Sequence, residues 1–123
     1  MAELHESILR YFRRSPRCRG FREAKSPMPT FRPDFFAEKR SKSGKCLAQI
    51  AVEAEIHSTL YSPHTSEQLV LMDEFITHQR HKKVPVHGFL LIPSGKALLR
   101  QARSFLESLF PSGTKIKILQ EPR

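Results

Sequence analysis

The sequence predicts one α/β domain of 123 residues, with a mixed central sheet flanked by helices in the order α-β-β-β-α-β-α-β. Three observations predict it. In 46–56, Ile50, Val52, Ala54 and Ile56 alternate with Ala51, Glu53 and Glu55, the period of a strand. Two segments, 62–80 and 94–110, repeat apolar residues at helical spacing. Between them, 84–93 is a nearly continuous apolar run of strand length, the kind buried on both faces of a sheet. The length suits one core and is short for two.

The elements follow in order. Residues 2–14 place Leu4, Ile8, Tyr11 and Phe12 on one helical face, and Pro16 ends the helix. Residues 17–25 read as a short basic strand, followed by a loop with Pro27 and Pro29. Residues 30–38 are extended, because the residue before Pro33 avoids the helical region. The polar turn 39–45, with Gly44, joins this segment to 46–56 as a hairpin. The next helix opens on Thr65-x-x-Gln68, a capping-box pattern, and presents Leu69, Met72 and Ile76 with Leu71 and Phe75 beside them. After the apolar strand, Ser94 caps a helix whose Leu98, Leu99, Ala102, Phe105, Leu106 and Leu109 form a broad core face. Pro111-Ser112-Gly113 breaks it, and 114–120 is a last strand with Ile116 and Ile118 inward.

Composition narrows the function classes. No apolar run approaches the roughly 20 residues of a spanning helix, and the N-terminal segment lacks the pattern of a secretory signal. Cys18 and Cys46 have no zinc spacing and make a poor disulfide framework, so reduced thiols in a cytoplasmic protein are expected. Lys and Arg exceed Asp and Glu by 21 to 12. Residues 1–45 hold twelve of the basic and five of the acidic side chains, a basic flank suited to a polyanion. Arg10, Arg13, Arg14, Arg17, Arg19 and Arg22 are interleaved there with Tyr11, Phe12 and Phe21, and Lys39, Arg40, Lys42 and Lys45 follow in the turn. Arginine forks suit phosphate oxygens, so these cations are candidate nucleic-acid contacts, while Phe12 and Phe21 read as core.

The acids pose the sharper question. Glu53 and Glu55 share a strand face roughly 6–7 Å apart, and a hairpin brings Asp34 near Glu53. Like charges so close repel and raise each other's pKa. A divalent cation removes the repulsion, and hard oxygen ligands suit Mg²⁺ (or Mn²⁺). Such an ion lowers the pKa of a bound water and offsets charge on a phosphate, which in a basic protein points to phosphodiester hydrolysis. The plainer reading of Glu53 and Glu55 is a half-exposed strand face in water.

"RPDFF" at 32–36 and "QIAVEAE" at 49–55, within this element order, resemble the PD-(D/E)xK nuclease superfamily, the restriction-endonuclease-like fold of many restriction enzymes and Holliday-junction resolvases. The resemblance spans nearly the whole chain by element order. It implies that Asp34 and Glu53 bind the metal, with Glu6, or Glu3, as an acid from the first helix and Gln68 as a polar residue near the site. Glu55 stands where the family usually has lysine. It implies either a second ligand or base, as in some active relatives, or a lost site, as in members that only bind; Lys39 or Lys45 is a candidate replacement cation. The expected activity is metal-dependent cleavage of DNA, in a phage or mobile-element setting, with a homodimer or protein partner and no membrane. The alternative is an inactive nuclease fold that binds DNA or a protein as accessory factor or inhibitor.

The histidines carry less. His78 and His81 end a helix beside Lys82 and Lys83, where cations offset the helix dipole. His57 and His64, with these two and His87, invite a metal reading, but His87 inside an apolar strand reads as a core or edge histidine. No nucleophilic triad order stands out, and Pro93-Ser94-Gly95-Lys96 lacks the glycines of a phosphate loop.

Overall fold

The alternation of 46–56 becomes the central strand β3, Cys46–Ala54, of a five-stranded sheet. The computed structural model describes residues 2–121, with side chains from His5 onward. Helix α1 (Ala2–Arg13) precedes β1 (Arg22–Glu23), β2 (Phe35–Arg40) and β3; then come α2 (Pro63–His81), β4 (Val86–Ile92), α3 (Lys96–Leu109) and β5 (Lys117–Gln120). The strands lie in sequence order, with β1–β2 and β2–β3 antiparallel and β3–β4 and β4–β5 parallel. The mixed sheet and the element order are those expected.

Because side chains alternate along β3, two separate cores form. Ile50, Val52 and Ala54 face α1, where Phe12 packs edge-on to Phe35 and also meets Phe89. Ala51 faces α2 and α3, with Phe36, Leu69, Met72, Leu90 and Leu106. Glu53 and Glu55, odd-numbered like Ala51, therefore belong to the α2 face. Helix α2 crosses β4 at Gly88, where a Cβ would lie 2.7 Å from Ile76 Cδ1 and 3.1 Å from Met72 Sδ, so a larger residue there would push the ends of those two side chains aside. A buried amide ladder locks the layers: Gln79 Nε2 donates to Gln49 Oε1 at 2.6 Å, and Gln49 Nε2 donates to Glu38 Oε2 at 2.9 Å.

Several boundaries differ from expectation. The strand 17–25 shrinks to Arg22–Glu23, because Pro16 opens a 3-10 turn (Pro16–Cys18) and Gly20 adopts a positive φ. The α1 face is rotated: Ile8, Leu9 and Phe12 are buried, whereas Tyr11 is exposed. The cap of α2 is Ser62, whose hydroxyl accepts the Thr65 N–H, with Pro63 in the first turn; Thr65 is thus inside the helix. Gly95, not Ser94, caps α3, without a side-chain bond. His87 is exposed rather than core. Cys18 and Cys46 are unpaired, and no described helix is long and apolar enough to cross a membrane.

Candidate functional site

The hairpin register determines where the acids meet. Phe35 pairs with Val52, so Asp34 and Glu53 come together one step further along. Asp34 Oδ2 accepts the Ala54 N–H at 2.8 Å, and the Asp34 carboxyl lies close enough to Glu53 for its charge to act on it. Glu53 is only 2% exposed. Burial first, then the charges of Asp34 and Glu55, push its carboxyl up to about 9. Its Oε1 has no hydrogen-bond partner among the described residues. Asp34 is exposed as a residue, but its carboxyl turns inward to Ala54; that partial enclosure raises its pKa, against the Ala54 N–H and the charges of His5 and His64.

Glu55 is also buried, just past the end of β3, where its N–H donates to Leu91 O at 2.9 Å. Two helix N-termini converge on it. From the first turn of α2, Thr65 Oγ1 donates to Glu55 Oε2 at 2.7 Å. From α1, His5 Nε2 stands 3.8 Å from Glu55 Oε1 and 3.4 Å from Thr59 Oγ1. Burial raises the Glu55 pKa, and the Thr65 and Thr59 hydroxyls oppose the rise. The Glu55 carboxyl is thus occupied by hydroxyls and His5.

The other predicted site residues fall in different places. Gln68 is buried beneath the loop that leads to Asp34: its Oε1 accepts the Arg32 N–H at 2.8 Å and its Nε2 donates to Thr30 O at 3.3 Å. It anchors the approach to the acids and makes no bond to them. Glu6 is exposed, 3.8 Å from Arg13, and close enough to Asp34 to raise its pKa slightly; the Glu3 side chain lies outside the described residues. Neither candidate lysine comes near Glu55. Lys39, level with Ala48, lies over the Phe21 ring, and Lys45 is in the hairpin turn, both at the far end of the hairpin from Asp34.

The basic residues form two sets. Arg13 lies over the Phe35 ring and ion-pairs with Glu6 and Glu23, Arg17 lies over the Phe89 ring, and Arg10 and Arg14 flank a shallow groove with Tyr11. Arg22, Arg40 and Lys42 border a cleft near the hairpin turn, where Arg40 is held by Glu38 and Gly44 O. Arg19 and Lys45 are exposed. None of these side chains bonds to the acids among the described residues. A groove of about 630 Å³ does open beside Asp34, and Lys25 and Arg32 line it.

His5, His64, Thr59, Lys25 and Arg32 were not legible as site residues, with one exception. His5, Ile8, Leu9 and Phe12 follow i, i+3, i+4, i+7, so the inward face of α1 itself carries His5.

The residues can be tested against a divalent cation. No three His, Cys, Asp or Glu side chains are grouped closely enough to cage a metal among the described residues. Mg²⁺ does not need a cage: it is commonly held by one or two carboxylates and fills its shell with water and phosphate. Asp34 and Glu53, with the unpartnered Glu53 Oε1, fit that mode, whereas Glu55 is engaged elsewhere. Comparison with protein-family models, curated proteins and solved structures finds no match, so the site's own chemistry carries the functional reading.

Proposed function

We propose that this protein is a small metal-dependent nuclease acting on DNA, with a restriction-endonuclease-like fold of the PD-(D/E)xK type. The observation that carries the reading is the Asp34–Glu53 pair, in which a buried carboxylate with an unsatisfied oxygen stands beside a second, solvent-reached one. Burying such a pair without compensation is costly. A bound Mg²⁺ or Mn²⁺ would supply charge neutralisation at a scissile phosphate and a more acidic water. Asp34 and Glu53 would hold that ion. Glu55, oriented by Thr65 and His5, takes up or holds a proton beside it. Gln68 keeps the loop before Asp34 in place, and Lys25 and Arg32 in the adjoining groove favour a phosphate backbone. The α-β-β-β-α-β-α-β order agrees with the resemblance drawn from the motif.

A second reading, a non-catalytic DNA-binding or partner-binding protein on the same fold, is favoured by one observation. The usual lysine position holds Glu55, and neither Lys39 nor Lys45 reaches it. Incubation with plasmid, branched and single-stranded DNA in Mg²⁺ or Mn²⁺ separates the two. The nuclease reading expects cleavage of at least one substrate, falling about a hundredfold or more in Asp34→Asn and Glu53→Gln. Binding without cleavage of any substrate supports the second reading, and cleavage that survives both substitutions contradicts the assigned site.

A further inference from the structure

At the amino-terminal end of the parallel strands, away from the acids, lies a notch of about 330 Å³ lined by Arg17, Arg80, His87, Lys115 and Lys117. These side chains come from four places in the chain: the 3-10 turn, the end of α2, the start of β4, and β5 with the residues before it. All five are exposed, and no carboxylate lines the notch. None of Arg17, Arg80, Lys115 or Lys117 has an acidic partner among the described residues, unlike Arg13 and Arg40. The Arg17 guanidinium lies over the Phe89 ring, 5.3 Å from its centroid, a cation–π contact that holds it at the notch. Strand β5 begins its pairing at Lys117 opposite Phe89, so the edge of β4 over Val86–Gly88 is open on this side.

Helix-dipole compensation accounts for Arg80, which sits in the last turn of α2. It does not account for Lys115 and Lys117, which project from a different element, nor for Arg17. Uncompensated cations held around one concavity repel one another, and an anion with several oxygens relieves that repulsion.

We propose that this notch is a backbone-binding site for nucleic acid, in which Arg17, Arg80, Lys115 and Lys117 neutralise successive phosphates. The inference rests on the nucleic-acid reading above and extends it beyond residues 1–45. Charge in the sequence pointed to that segment, whereas the fold adds Arg80, Lys115 and Lys117 from the nearly neutral remainder. The site grips phosphate and carries no base specificity.

The test is fluorescence anisotropy with a labelled 20-base-pair duplex in EDTA, over a series of salt concentrations. Without metal, hydrolysis does not enter the measurement, so the site and the nuclease reading fail separately. The variants are Lys115→Gln with Lys117→Gln, the same pair with Arg80→Gln, and Arg103→Gln on α3 as control. The triple variant is expected to bind the duplex about tenfold more weakly or worse. Its slope of log affinity against log salt should be shallower by about 0.9 for each phosphate that the variant leaves unneutralised. The double variant should fall between it and the wild type, and Arg103→Gln should match the wild type. All the substituted side chains are exposed, and the thermal unfolding of each variant checks that it is folded. Unchanged duplex affinity and slope in a folded double variant overturn the proposal. So does a calorimetric result in which the substitutions abolish inorganic phosphate binding while duplex binding persists, which marks a small-anion site.

Discussion

Glu53 carries a proton when no cation is present at neutral pH, because its pKa is pushed up to about 9. In the unfolded chain it titrates near the ordinary value of 4.5. Between these values the folded state binds more protons than the unfolded one, so stability falls as pH rises from about 4.5 to about 9. The slope for one such proton is up to about 1.4 kcal/mol per pH unit, equivalent to a few degrees in melting temperature. Asp34 and Glu55, also raised, act in the same direction, so the difference between wild type and Glu53→Gln isolates Glu53. In EDTA the wild type should lose melting temperature between pH 6 and 9 more steeply than Glu53→Gln. Adding Mn²⁺ at pH 8 should raise the wild type and leave the variant nearly unchanged. Parallel pH curves for the two proteins would contradict the assigned state of Glu53. The proximity of the three acids was legible from alternation and a hairpin. Their inequality was not: Glu55 is held by Thr65 and His5, which lie ten residues after it and fifty before it, and nothing local encodes that meeting.

At the scale of elements, the hairpin and the two crossing helices do the positioning. The polar turn and alternation of 39–56 specify β2–β3, but the strand ends depend on tertiary partners. Residues 30–34 stay irregular because Pro33 interrupts extended pairing and Gln68 on α2 takes the Arg32 N–H. Gln68 thus links a helix to the loop that presents Asp34. Gln68→Ala should cost about 1 kcal/mol in urea unfolding, since it removes the bonds that a buried amide makes to the Arg32 N–H and the Thr30 carbonyl. It should also weaken Mn²⁺ binding several-fold while retaining the Glu53 pH effect. A variant with wild-type stability and wild-type Mn²⁺ affinity would remove Gln68 from the positioning role. The start of α2 shows why local patterns mislead. Thr65-x-x-Gln68 matches a capping box, yet Ser62-Pro63 supplies a better cap and first turn, which frees Gln68 for the loop and Thr65 for Glu55.

For the whole molecule, the parallel strands separate two chemistries. Their carboxyl ends, with the N-termini of α1 and α2, gather the acids; their amino ends gather Arg17, Arg80, Lys115 and Lys117. The class of fold was legible because β3 alternates, α2 and α3 repeat at helical spacing, β4 is an apolar run of strand length, and the connections leave few ways to order them. The charge layout was not, because net charge per segment says nothing of which segments the fold brings together. A manganese-soaked crystal at pH 8, with diffraction recorded at the manganese absorption edge, would locate a metal at Asp34 and Glu53. One anomalous peak is expected within direct coordination distance of both Asp34 and Glu53. Well-ordered Asp34 and Glu53 carboxyls with no anomalous peak between them would rule that metal site out.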